Sequence, residues 1–145
     1  HARNGAPMWT WLVTAILFIL IMWLSSLPLR QESLEESENR TLTKTEQIFA
    51  SAAGFEEVSD IIPGRCSMCH AREPFYEGIR RAPKAVFLET PADIAKEARR
   101  IYLQAGVTVA MPPANVSFME PEERAAVIRW YRAAAKDLPF YVAAK

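Results

Sequence analysis

Cys66-Ser67-Met68-Cys69-His70 carries two thiols three positions apart with an imidazole directly behind the second. That C-x-x-C-H spacing is the signature of c-type haem attachment. Two thiols at this separation reach the two vinyl groups on one edge of a haem, and the adjacent imidazole turns under the ring to bind iron. Two other chemistries use paired cysteines. A structural zinc site needs four Cys or His ligands, usually from two separated pairs, and the only other histidine in this chain is His1. A thioredoxin-like dithiol needs a βαβ setting, and the sequence offers no convincing strand. The expectation is one covalently held haem c on Cys66 and Cys69, with His70 as the proximal ligand.

The distal position decides whether such an iron transfers electrons or binds gases. The soft ligand is sought among the five methionines. Met8 and Met22 lie in an apolar run, and Met68 lies between the thiols, which leaves Met111 and Met119. Met111 follows His70 by 41 residues and precedes Pro112-Pro113, whose fixed φ angles make a stiff strap suited to holding a weak thioether bond. Met111 is therefore the expected ligand, with Met119 as the alternative and plain core packing as the bland reading of either. A ligating imidazole commonly donates its second N–H to a carbonyl, and Pro83, thirteen residues after His70, is expected to present one. Asn115 or Tyr102 is a candidate to hydrogen-bond the Met111 sulfur or a propionate. Arg80, Arg81 and Lys84 are candidates for pairing with propionates or, as for most charge runs, a solvated face.

The elements that must position these groups are legible in outline. The chain has 145 residues, with 17 basic and 17 acidic side chains, a balance that gives no sign of a nucleic-acid partner. From Ala6 to Leu29 no residue is charged, and Met8–Leu27 is long enough at about 1.5 Å per residue to cross a bilayer core of about 30 Å. Trp9, Trp11 and Trp23 lie towards the ends of this run, where indole rings settle at the membrane interface. A signal peptide is the alternative, but the run is longer than a usual apolar signal core and no A-x-A-like site follows. The chain starts at His1, so a fragment with its earlier part removed is expected. Residues 1–29 are read as a transmembrane segment and 30–44, Glu- and Ser-rich, as a flexible acidic linker. Because haem c is attached outside the bacterial cytoplasm, the expected setting is the inner membrane with residues 45–145 in the periplasm.

Apolar spacing in that last region is helical throughout. Phe55, Val58, Ile61 and Ile62 mark a helix expected to stop at Pro63-Gly64. Thr90-Pro91-Ala92-Asp93 is a capping box opening a helix through Ile94, Ala98, Ile101, Tyr102 and Ala105, with Gly106 as its left-handed stop. A third helix starts near Glu120-Pro121 and carries Val127, Ile128, Trp130, Tyr131 and Ala134. The expected fold class is all-α: one N-terminal transmembrane helix, a tether, and a small cytochrome c-like helical haem domain.

Residues 65–74 and 78–131, with the membrane run at 1–25, resemble the C-terminal cytochrome c domain and last transmembrane helix of the bacterial membrane-bound urate oxidase (urate hydroxylase) family. The resemblance covers nearly the whole chain apart from the linker. It implies haem attachment at Cys66, Cys69 and His70, a distal bond from Met111, and electron transfer from urate oxidation in a membrane catalytic domain preceding this segment. The onward acceptor would be another cytochrome c or a terminal oxidase. Ala114 departs from the pattern, in which glycine is expected before Asn115. No residue of this chain is assigned to urate or to catalysis. Two other readings stay open: a generic membrane-anchored cytochrome c of a respiratory complex, and a haem enzyme or gas sensor with a labile distal ligand.

Overall fold

The computed structural model describes residues 8–26 and 34–138, which are helical or in turns, with no strand among them. They fall into two units, each considered by itself. The first contains α1, Met8–Ser26, with side chains exposed from Trp11 to Ser25 and a mean hydropathy of 2.0 over Met8–Ser25. It is apolar enough, and at roughly 28 Å long enough, to span a membrane. The ends of the predicted 1–29 segment and residues 30–33 of the linker lie outside the described residues.

The second unit contains α2 (Leu34–Glu38), α3 (Lys44–Ser51), α4 (Phe55–His70), α5 (Pro91–Lys96), α6 (Ala98–Ile101) and α7 (Pro121–Ala135). Its centre is Trp130 on α7, fully buried, whose indole N–H donates to the Phe49 carbonyl at 2.9 Å. Phe49 and Phe55 meet the same ring at 5.8 and 5.9 Å. Val58 and Ile62 of α4, Ile94 and Ala98 beyond it, and Val127 and Ala134 of α7 complete one apolar cluster. Gly54, at φ +87°, turns the chain from α3 into α4 beside the Trp130 backbone.

Three sequence expectations change. First, α4 does not stop at Pro63-Gly64 but runs through to His70. Pro63 forfeits one backbone hydrogen bond and strains the turn before it, but burial of Val58 and Ile62 and the tie from Arg65 to Glu123 on α7 at 2.9 Å hold the helix on both sides of it. Second, Gly106 is not left-handed. The capping box at Thr90 and Asp93 forms as expected, but the helix breaks at Glu97 (φ −96°, ψ 10°) into α5 and α6, and α6 continues past Ile101 into a π-helical turn, Tyr102–Val107. There Gly106 lets the backbone approach α7, since a Cβ would stand 3.0 Å from Ile128 Cγ1. Third, the described part of the 30–44 linker is folded onto the helices: Ser37, fully buried, donates to Asp93 Oδ1 at 2.8 Å and shares a hydrogen bond with the Thr90 hydroxyl at 3.1 Å.

Candidate functional site

The C-terminal turn of α4 delivers Cys66, Cys69 and His70 to one face. Cys66 and His70 line a cavity of about 350 Å³ together with Pro83, Met111 and an apolar wall of Val86, Leu88, Ile101 and Ala105. Its polar lining is Lys84, Glu97, Arg100 and Gln104. A smaller cavity, about 80 Å³, shares Cys66, His70, Pro83 and Met111 and adds Met68, Cys69, Ile79 and the Pro112-Pro113 strap. The larger volume falls in the range of cofactor pockets, about 300–1,000 Å³.

His70 is oriented by a hydrogen bond between Nδ1 and the Val86 carbonyl at 3.0 Å. A proton on Nδ1 leaves the lone pair on Nε2. The expected partner was the Pro83 carbonyl; the 3₁₀ turn Pro83–Ala85 commits that oxygen to the Val86 N–H at 3.2 Å, and the orienting role passes to Val86. The motif is tied down further by the Leu88 N–H donating to the His70 carbonyl at 2.9 Å, and by the Phe75 and Tyr76 N–H groups on the Met68 carbonyl at 3.1 and 3.0 Å.

Cys66 and Cys69 are not joined to each other by a disulfide. Burial pushes the Cys66 thiol up to about 12, with the Arg124 charge pulling the other way, and burial also raises Cys69. A redox dithiol relies on a depressed thiol pKa, usually at a helix N-terminus or beside cations; these thiols sit at the C-terminal end of a helix, where the dipole opposes a thiolate. Among the described residues, no group of three or more His, Cys, Asp or Glu side chains is arranged to hold a metal ion. Two thiols one helical turn apart, an imidazole with an oriented ring, a thioether and a mainly apolar cavity match the donor chemistry of a covalently held haem.

The two candidate methionines separate clearly. Met111 lines both cavities, whereas Met119, 2 % exposed, lies in the core cluster. Asn115 does not face either cavity's lining set; its side chain accepts from the Met119 N–H at 2.9 Å and donates to the Met119 carbonyl at 3.2 Å. Tyr102 stacks on Tyr131 with ring centroids 4.1 Å apart. Of the predicted basic trio, Lys84 lines the larger cavity while Arg80 and Arg81 line neither, and Arg100 joins Lys84 there. Ala114, at the position where glycine was expected, has φ +50°, the left-handed region that glycine occupies without a Cβ penalty.

Three arginines not marked by motif or spacing tie down the elements around the cavities. Arg65 joins Glu123 and donates to the Ser117 carbonyl at 2.9 Å. Arg72, its side chain 7 % exposed, binds Glu89 and Asp93 at 2.9 Å each and lies 4.6 Å over the Phe87 ring. Arg124 donates to the Met111 carbonyl at 2.8 Å and the Ala105 carbonyl at 2.6 Å. The signal for Arg124 is its place in the first turn of α7, where the helix dipole disfavours a cation.

No family model, curated protein or solved structure matches this chain.

Proposed function

We propose that this chain is a membrane-tethered c-type cytochrome module for electron transfer, with one covalent haem c held by Cys66, Cys69, His70 and Met111. The observation that carries the proposal is the convergence of both ends of the sequence signature on one apolar cavity: Cys66 and His70 from α4, and Met111 from a strap 41 residues further on. When bound, the haem supplies one-electron redox chemistry, with His/Met ligation favouring transfer over ligand binding. The protein's part is to anchor, orient and exclude water. The thiols anchor one edge, the Val86 carbonyl fixes the imidazole, and Val86, Leu88, Ile101 and Ala105 supply the dry wall. Lys84 and Arg100 offer cations for the carboxylates such a group carries.

On the resemblance of residues 65–74 and 78–131 to the membrane-bound urate oxidases, the electrons come from urate oxidation in a membrane domain preceding this segment, and pass on to another cytochrome c or a terminal oxidase. α1 anchors the module in the bacterial inner membrane with the site on the periplasmic side. Among the described residues the one histidine, His70, is held at the motif by the Val86 carbonyl, and the proposal assigns the purine chemistry to the upstream domain. The test is anaerobic mixing with urate while haem absorbance is followed. The 145-residue chain is expected to stay oxidised, and the same chain joined to its upstream membrane domain to be reduced. Rapid reduction of the isolated chain with matching urate loss would place catalysis within it. A reduced protein that binds carbon monoxide readily would favour a gas-binding role.

A further inference from the structure

The loop from 108 to 118 holds four non-glycine residues in the left-handed region: Val109 (φ 54°), Ala114 (50°), Asn115 (53°) and Phe118 (54°). Such residues cost free energy individually and persist only where the surroundings over-determine them. Arg65 reaches the loop at the Ser117 carbonyl, 2.9 Å away, and a second side chain from outside it takes more of its acceptors. Arg124 donates through Nη1 to the Ala105 carbonyl at 2.6 Å and the Met111 carbonyl at 2.8 Å, and through Nη2 to Asn115 Oδ1 at 3.1 Å. Asn115 in turn brackets Met119 through both its amide atoms. The guanidinium thus gathers the end of the π-turn, the backbone of Met111 and the far side of the strap onto the first turn of α7.

We propose that Arg124 is the positioning residue of the distal strap: it holds the Met111 backbone against the cavity and sets how readily the Met111 thioether gives way to an exogenous ligand. The inference rests on the His70/Met111 reading above. A planar guanidinium with donors in a fixed fork can serve three acceptors at once, and an ammonium on a flexible stem cannot do so in the same geometry. Charge-assisted hydrogen bonds are also among the stronger polar contacts. Removing them releases Met111 without removing it, which shifts the population toward strap-open forms that a competing ligand captures.

The test uses the full chain matured with periplasmic haem-ligation machinery, comparing wild type with Arg124→Met, Arg124→Lys, Asn115→Gly and Met111→Ala. Imidazole is titrated into the ferric protein, and the near-infrared sulfur-to-iron band and the unfolding midpoint are read in parallel. Arg124→Met should keep its covalent haem, weaken the band and bind imidazole at least about tenfold more tightly, the shift that loss of one charge-assisted hydrogen bond permits. Arg124→Lys should fall between the two. Asn115→Gly, which keeps the left-handed backbone while deleting one acceptor and the bracket on Met119, should shift imidazole binding in the same direction and guards against misfolding of the arginine variants. Wild-type imidazole affinity in folded Arg124→Met would overturn the inference, as would unchanged affinity in Asn115→Gly if Arg124→Met does not fold. Wild-type protein whose band survives Met111→Ala, or that carries no haem, overturns the ligation reading instead, so the two failures are distinguishable.

Discussion

Met111 and Met119 lie eight residues apart and were the two thioethers left open by the sequence; Met111 lines the cavities and Met119 lies in the core, and the proposal gives the iron to Met111. Met111→Ala should abolish the near-infrared sulfur-to-iron band and admit carbon monoxide. Met119 is buried in the core, so Met119→Ala should leave the band in place while lowering stability by about 2–5 kcal/mol, the range for emptying a buried large side chain, as read by denaturant unfolding. A band lost from Met119→Ala would reverse the assignment. The buried ion pair behind the motif makes a second residue-scale prediction. Burial pushes the Asp93 carboxyl up, but its hydrogen bonds from Arg72, Ser37 and Thr90 outweigh burial and hold it below its ordinary 3.8. A folded-state pKa below the unfolded one gives stability that is complete above about pH 4 and is lost as pH falls through the depressed value. Asp93→Asn should therefore be less stable than wild type at neutral pH and converge with it in strong acid. The acid-unfolding profile of the two proteins checks this, and a constant gap at all pH values would contradict it.

At the scale of elements, the capping signals were legible because they are local: Thr90 and Asp93 form their box, and Glu120-Pro121 opens α7. What the sequence could not show was decided by packing between elements. Pro63 reads locally as a stop, yet α4 continues because its neighbours on both sides are held. Gly106 reads as a C-cap, yet its use is close approach to Ile128. The Pro83 carbonyl reads as the imidazole's partner, yet a tight turn takes it. Glycine substitutions separate these cases. Gly64 sits inside α4 with nothing within 4 Å of an added Cβ, so Gly64→Ala should stabilise by about 0.5–1 kcal/mol. Gly106→Val should instead destabilise by about 1–3 kcal/mol through overpacking, and Ile128→Ala in the same chain should recover part of that loss. Thermal unfolding of the three variants reads both effects. Equal behaviour of the Gly64 and Gly106 variants would mean that the π-turn does not press on α7.

At the scale of the whole molecule, the division into an apolar helix and a helical unit with its own core was legible from charge distribution alone: no charge from Ala6 to Leu29, then amphipathic spacing to the end. The boundary between them was not, because the Glu- and Ser-rich stretch looks unable to fold until Ser37 meets Thr90 and Asp93, residues more than fifty positions away. All of these elements matter functionally only if the motif carries what its spacing implies. The most direct measurement is the intact mass of the full chain expressed with periplasmic haem-ligation machinery, alongside the Cys66→Ala/Cys69→Ala chain. The wild-type protein should gain the mass of one haem through two thioether bonds and keep it under denaturing conditions, and the double variant should gain nothing. A folded wild-type protein of unmodified mass, with both thiols open to alkylation, would contradict the account.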